Sequence, residues 1–325
     1  MDSIFKHTEN NGVAIITGLQ RALTETSIFI PETINGIPVV EIGPEAFRST
    51  SIVDIKIGEN IREIENEAFY SCEKLSSVTW NHKCDVIPDF CFFECSNLTQ
   101  LDFSGIKKIG QYAFRDSGLQ EVCLPKNIEC ISEGAFNGCS ELHSVTWNCT
   151  CDVIPADCFV FCSNLTNFDF SGVKKIENHA FSRSELQVAC LPQNIECISE
   201  WTFGGCSELR SVTWNCTCDV IPAYCFYMCP NLTNFDFTGI KKIEQDAFWK
   251  SGLISVTLSK GTAVYQNCFA FCESLTKVEW LSARNIEGNI FAGCKNIKEI
   301  FISDKVMNIA VDAFASSPNA EITFV

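Results

Sequence analysis

The residues of this chain best equipped for chemistry are its 21 cysteines, and their spacing repeats. Cys72, Cys91 and Cys95 return as Cys139, Cys158 and Cys162, and again as Cys206, Cys225 and Cys229. Three thiolates with a fourth ligand hold zinc or an iron–sulfur cluster. No fixed fourth ligand accompanies the trios, however, and the Cys-x2-Cys spacing of zinc modules is absent. An odd count in so long a chain also argues against a disulfide scaffold. The first and last members of each trio lie three residues after a phenylalanine, and the middle member lies one before. In other copies that last slot holds Ala113, Ala135 or Ala180. A slot shared by Cys and Ala is small and buried, and a free thiol behaves there as a small hydrophobe. Reduced core cysteines with no metal or cofactor are therefore expected. A cysteine-cluster metal-binding or thiol-redox protein is the alternative. Cys149-x-Cys151 and Cys216-x-Cys218 are too far apart to form one site and receive no role.

Other catalytic chemistry has little to stand on. The four histidines, His7, His82, His143 and His179, show no repeated pairing with an acid and a nucleophile. Gly204-Gly205 does not follow a strand as a phosphate loop would. No enzyme activity is expected. The charge of −16 argues against a nucleic-acid ligand, which would call for a basic face.

The element that positions the cysteines is a repeat, I-x4-F-x2-C-x2-L-x2-V-x-W, clearest at Ile131–Trp147 and Ile198–Trp214. Thirteen phenylalanines from Phe47 to Phe314 keep intervals of 21 to 23 residues, each with Ile or Val five positions earlier. A fixed period of this size is the mark of a solenoid, whose coils bury their apolar faces against one another. Three coils form a higher unit of about 67 residues, visible in Phe69–Gln111, Phe136–Asn178 and Phe203–Gln245. Within a coil, L-x-x-V-x-W alternates as a half-buried strand should. Gly, Pro and Asn follow, and the chain returns through Ile and Ala-Phe as a short helical turn. Stacking then gives a parallel sheet on one face. Residues 1–27 fall outside the period and are expected to cap the solenoid, with a strand at Val13–Ile16. Residues 28–325 form one continuous domain of about 13 coils. Asn35-Gly36 signals a turn. Trp80, Trp147 and Trp214 fall on apolar strand positions and belong to the core.

The stretch I-P-x-x-I-N-G-x-P-V-x-x-I-G-x-x-A-F at Ile30–Phe47, followed by repeated I-x-x-x-A-F-x-x-C-x-x-L, resembles the BspA-like leucine-rich repeat family from about residue 28 onward. The resemblance implies a curved, right-handed α/β solenoid with a parallel β-sheet on the concave face and short helical turns or loops on the convex side. It also implies protein binding, often as adhesion at a cell surface.

Alternation places a polar set outward on the strands: Ser77, Thr79 and Asn81, then Gln100, Asp102 and Ser104. The next units supply Ser144, Thr146, Asn148, Asn167, Asp169 and Ser171, then Ser211, Thr213, Asn215, Asn234, Asp236 and Thr238. Such a surface suits many shallow hydrogen bonds to a protein or glycoprotein partner. The reading is a non-enzymatic interaction scaffold, with surface adhesion after export without a signal peptide as an alternative. Met1–Glu9 lacks the features of a signal peptide, and no apolar run reaches the ~18 residues of a membrane helix. A cytoplasmic location is expected, with no membrane insertion. Sequons begin at Asn97, Asn148, Asn164, Asn215 and Asn231 and would matter only on the secretory route. Residues 320–325 read as a last strand, compatible with a monomer or with a dimer through that edge.

Overall fold

The computed structural model describes residues 4–20, 26–81 and 83–325; His82 and part of the expected cap lie outside them. The chain divides into two compact units, Met1–Leu165 and Thr166–Val325. Most described coils carry two short strands with a tight double turn between them. In the first unit Glu121–Leu124 pairs in parallel with Ser144–Trp147, and Lys108–Ile109 with Cys130–Ile131. In the second, Val188–Leu191 pairs with Ser211–Trp214, and four parallel strands run from Ser255–Thr257 to Glu321–Phe324. The register sets every residue beside its equivalent in the next coil, which is why the sequence repeats so strictly.

That register stacks the phenylalanines. Phe47 and Phe69 lie 5.4 Å apart and 5° from parallel, Phe136 and Phe159 5.7 Å and 7°. Phe203 and Phe226 do the same in the second unit, at 5.7 Å and 4°. Offset stacking of this kind adds about 0.5–1.5 kcal/mol per pair beyond burial. Trp80 and Trp147 are buried, as expected of a core ladder, and Trp214 is half-buried. Each indole N–H donates to the carbonyl four residues on, at Cys84, Cys151 and Cys218.

The return through Ala-Phe is not helical, and no helix occurs among the described residues. Two residues before and two after the phenylalanine, the backbone turns left-handed, as at Glu45 and Ser49 (φ 55° and 54°) or Tyr224 and Met228 (58° and 54°). Alternate N–H groups close four-residue turns within the coil, such as Arg48 to Glu45. The others reach the next coil: Phe47 donates to Ala68 at 2.8 Å and Ser49 to Tyr70 at 2.7 Å. Half of the donors a helix needs are thus committed sideways. A left-handed residue other than glycine costs about 1–2 kcal/mol, a cost these inter-coil bonds offset.

The outward strand does not form in every coil either. Segments 97–103, 164–170 and 231–237 are irregular, and the main sheet is divided accordingly. In each, an aspartate caps a local turn: Ser104, Ser171 and Thr238 donate their N–H to Asp102, Asp169 and Asp236 Oδ1, all at 2.9 Å. Such a bond offers the backbone an alternative to the ladder.

At the start, Phe5–Asn10 and Val13–Leu19 form an antiparallel hairpin whose second strand includes the expected Val13–Ile16 and runs parallel to Ile37–Ile42. Asn35 and Gly36 adopt φ of 54° and 81°, the two left-handed residues of a hairpin turn. No described helix is long and apolar enough to cross a membrane.

Candidate functional site

Most of the polar set read from the sequence is exposed, part of it on strands and part on irregular segments. Ser77, Thr79, Ser144, Thr146, Ser211 and Thr213 are exposed on strands, and Asn148 and Asn215 just after them. Asn81 is the exception. It is half-buried, and its amide donates to the Gly58 and Ile61 carbonyls of the preceding coil, both at 2.8 Å. Gln100, Asp102, Asn167, Asp169, Asn234 and Asp236 are exposed on the irregular segments. The three aspartates are also structural, because each holds its own turn. The Thr238 hydroxyl and N–H lower the Asp236 pKa. Among the sequons, Asn97 and Asn231 donate their amides to Glu73 and Ser207 carbonyls and tie coils together.

Thirteen cysteines are buried, four half-buried and four exposed, and all are free thiols. The trios do converge: Cys91 lies within electrostatic range of Cys95 and Cys72, and Cys229 of Cys206 and Cys225. Their thiols are not idle fillers. The cysteine three after each phenylalanine points its S–H at the phenylalanine carbonyl of the preceding coil. Cys72 meets Phe47 at 2.9 Å, Cys95 meets Phe69 at 3.2 Å, Cys139 meets Phe114 at 3.1 Å and Cys162 meets Phe136 at 3.2 Å. Cys206, Cys229, Cys272 and Cys294 repeat the contact at 3.0–3.2 Å. Where cysteine is missing the slot holds Thr50, Ser117, Ser184, Ser251 or Ser317. The slot therefore takes a small polar group: the Thr50, Ser117, Ser184 and Ser251 hydroxyls meet the cysteine sulfur of the following coil at 3.3–3.5 Å, the Ser317 hydroxyl donates to the Cys294 carbonyl, and that alternation was the signal in the sequence. Burial pushes Cys91, Cys95, Cys158, Cys162, Cys225 and Cys229 well up, and Cys139 and Cys206 to about 12. Metal binding needs the thiolate, which these surroundings disfavour. Among the described residues no three His, Cys, Asp or Glu side chains converge at coordinating distance.

The turns carry a feature the strand pattern gave no reason to seek. In the second unit His179, Trp201 and Tyr224 stack at 5.4 Å and 4.5 Å. Trp201 meets Tyr227 at 4.9 Å, Tyr227 stacks on Trp249 at 4.6 Å, and Trp249 touches Phe271 edge-on at 5.5 Å. Lys250 sits 4.5 Å above the Trp249 ring. His179, Trp201, Tyr224, Tyr227 and Trp249 are half-buried and Phe271 is exposed, so the rings form a surface ribbon. A shorter one in the first unit joins Tyr70 to Phe93 at 4.5 Å, with the Arg48 guanidinium 4.0 Å above Tyr70. These aromatics stand two before and one or two after the core phenylalanine, columns legible in the sequence once the turn is known to face solvent.

Parallel strands in register, a stacked phenylalanine spine and repeat-borne surface columns define a leucine-rich repeat protein. The chain belongs to the BspA type leucine-rich repeat family, whose profile of six copies matches residues 24–143, 103–210, 152–276 and 196–321. It is similar in fold to a leucine-rich repeat protein from Bacteroides ovatus, with a TM-score of 0.64 at 20% identity over 100% of this chain and 99% of that one. A leucine-rich repeat protein from Eubacterium ventriosum aligns over 100% and 95% of the two chains, with a TM-score of 0.54 at 19% identity. A leucine rich cell surface protein from Faecalibacterium prausnitzii aligns over 99% and 93%, with a TM-score of 0.53 at 19% identity. At such identities the likeness is one of fold. No curated protein matches the chain in sequence.

Proposed function

We propose that the protein is a non-enzymatic scaffold that binds a protein partner through the polar columns on its strand face. The carrying observation is that Ser77, Ser144 and Ser211, with Thr79, Thr146 and Thr213, recur exposed at equivalent strand positions. A backbone fixed by inter-coil hydrogen bonds presents them with little entropy left to lose on binding. With a net charge of −16, the partner surface is basic. The hairpin Phe5–Leu19 serves as cap; Phe5 packs edge-on against Phe47 at 6.3 Å, and Ala14 and Ile16 are fully buried. Thirteen buried free thiols suit a reducing, cytoplasmic setting, and the working state is a monomer.

A second reading moves the contact to the turns. Tryptophan and tyrosine are the residues most enriched at the energetic centres of protein interfaces, and the Trp201–Phe271 ribbon offers them in a row. Capture from native lysate under reducing conditions supplies the partner. Thr146→Arg with Thr213→Arg tests the strands, and Trp201→Ser with Trp249→Ser tests the ribbon, melting curves serving as the folding control. Loss of binding in the strand variant supports the first reading, and loss in the ribbon variant alone supports the second. Full binding by both variants rejects both surfaces. Labelling of intact cells decides between a cytoplasmic scaffold and surface adhesion.

A further inference from the structure

Cys149 and Cys151, and their equivalents Cys216 and Cys218, differ from the ladder thiols in every respect that matters for reactivity. They are half-buried rather than enclosed. In the first pair the Cys149 S–H points at the Cys151 carbonyl at 3.6 Å and the Cys151 S–H at the Val153 carbonyl at 3.3 Å, and in both pairs the two thiols lie within electrostatic range of each other. The backbone around them is anchored on both sides: Trp147 and Trp214 indoles hold the Cys151 and Cys218 carbonyls at 3.0 and 2.8 Å. Between the cysteines, the Thr150 and Thr217 hydroxyls donate to the Ile128 and Ile195 carbonyls at 3.0 and 3.3 Å. Two thiols separated by one residue are thereby carried on a fixed loop. Cys218 opens onto a groove of about 560 Å³ shared with Cys197, Glu196 and Asp219, room for a small reactant. The first block supplies an internal contrast. Its sequence has His82 where the later blocks have Cys149 and Cys216, and Cys84 is buried with its S–H toward the Ile61 carbonyl at 3.4 Å.

We propose that Cys149/Cys151 and Cys216/Cys218 are redox-active dithiols that exchange with small-molecule disulfides of the glutathione type. One cysteine thiolate attacks a sulfur of the incoming disulfide. The S–S bond of the reactant breaks and one thiolate leaves, taking a proton from solvent. The neighbouring thiol gives its proton to solvent and attacks the protein sulfur of the mixed disulfide. The second small thiol departs and takes up a proton. Each pair is oxidised by two electrons to a disulfide closing the Cys-Thr-Cys loop, and the reactant is reduced to two thiols.

The test uses the full reduced chain, incubated at neutral pH with oxidised glutathione and then alkylated and mapped by tandem mass spectrometry. The expected result is conversion of Cys149, Cys151, Cys216 and Cys218 into two intraloop links with no lasting glutathione adduct on these four, an unmodified Cys84, and simple adducts on the exposed Cys123, Cys130, Cys190 and Cys197. Cys149→Ser with Cys216→Ser removes one partner from each loop. In that variant Cys151 and Cys218 should accumulate stable glutathione adducts, and the reciprocal Cys151→Ser/Cys218→Ser chain should hold them on Cys149 and Cys216. Adducts that persist equally on Cys149, Cys151, Cys216 or Cys218 of the parent chain, links from these four to other cysteines, or no loss of these four thiols overturn the proposal. Because the mapping on the parent chain needs no substitution, a variant that misfolds does not shield it.

Discussion

Replacing Cys229 tests what the buried thiols are for. Its side chain is fully buried, and its S–H points at the Phe203 carbonyl at 3.2 Å. Cys229→Ala removes one heavy atom, worth about 0.8 kcal/mol of transfer free energy. The void of about 25 Å³ adds about 0.6 kcal/mol, and the weak S–H donor about 0.5 kcal/mol. The total is about 2 kcal/mol. Cys229→Ser keeps a polar hydrogen in a slot where Ser184 and Ser251 meet the cysteine sulfur of the following coil at 3.5 and 3.3 Å, and should cost about 1 kcal/mol or less. A slot that wanted only a small apolar group would give the reverse order, because burying a hydroxyl without a partner costs about 1–3 kcal/mol. The assay is urea unfolding under reducing conditions, comparing midpoints at constant slope. Cys225→Ala is the internal reference, since its slot elsewhere holds alanine and the change should be the milder of the two Cys→Ala substitutions. If Cys229→Ala proves at least as stable as Cys229→Ser, the donor ladder has no energetic role and the argument fails.

Thiol titration of the reduced native protein should find eight accessible groups, the thirteen buried ones reacting only after denaturation; twenty-one reacting at once would contradict the packing. Gly134→Ala should destabilise by about 1–2 kcal/mol, since φ is +62° there and the new methyl would meet the Tyr112 ring; a thermal melt that does not move would show the turn can relax. The Asp236 carboxyl has a lowered folded pKa, so its contribution is present above its unfolded value near pH 4 and is lost as pH falls through the folded value. Asp236→Ala should therefore flatten the acid limb of the stability curve, whereas a limb identical to the parent's would remove the turn-holding role. Asp169→Asn, which keeps an acceptor for Ser171, should be milder than Asp169→Ala in the same measurement.

The spine and the strand columns were legible because stacking in register forces chemically similar residues into the same slot. Phe136, Leu142 and Ile131 had to repeat if each coil packs on the last, and they do. The non-helical return was not legible. Ala-Phe-Asn-Gly-Cys has no proline or charge pattern that rejects a helical turn, and the deciding bonds, Phe136 to Cys158 and Gly138 to Val160, run to the next coil. The broken strands at Asp102, Asp169 and Asp236 hide for a related reason, since an aspartate outward on a strand and one capping a turn look alike in a one-dimensional pattern. The cysteine slot was half-read. Alanine near Cys91 suggested size alone, whereas Ser117 and Ser184 in the Cys139 slot carried the chemistry.

The sideways amides of the turn also give each unit an electrical direction. Phe47, Phe69 and Phe92 all send their N–H groups toward the following coil, and Phe203, Phe226 and Phe248 do the same. Each peptide carries about 3.5 D, and dipoles aligned head to tail add. The column of turns therefore acts as a macrodipole of the helical kind without a helix, its positive pole toward the later coils of each unit. An anionic group on a bound partner would feel that gradient along the stack, so two chemically identical coils are not electrostatically equivalent positions.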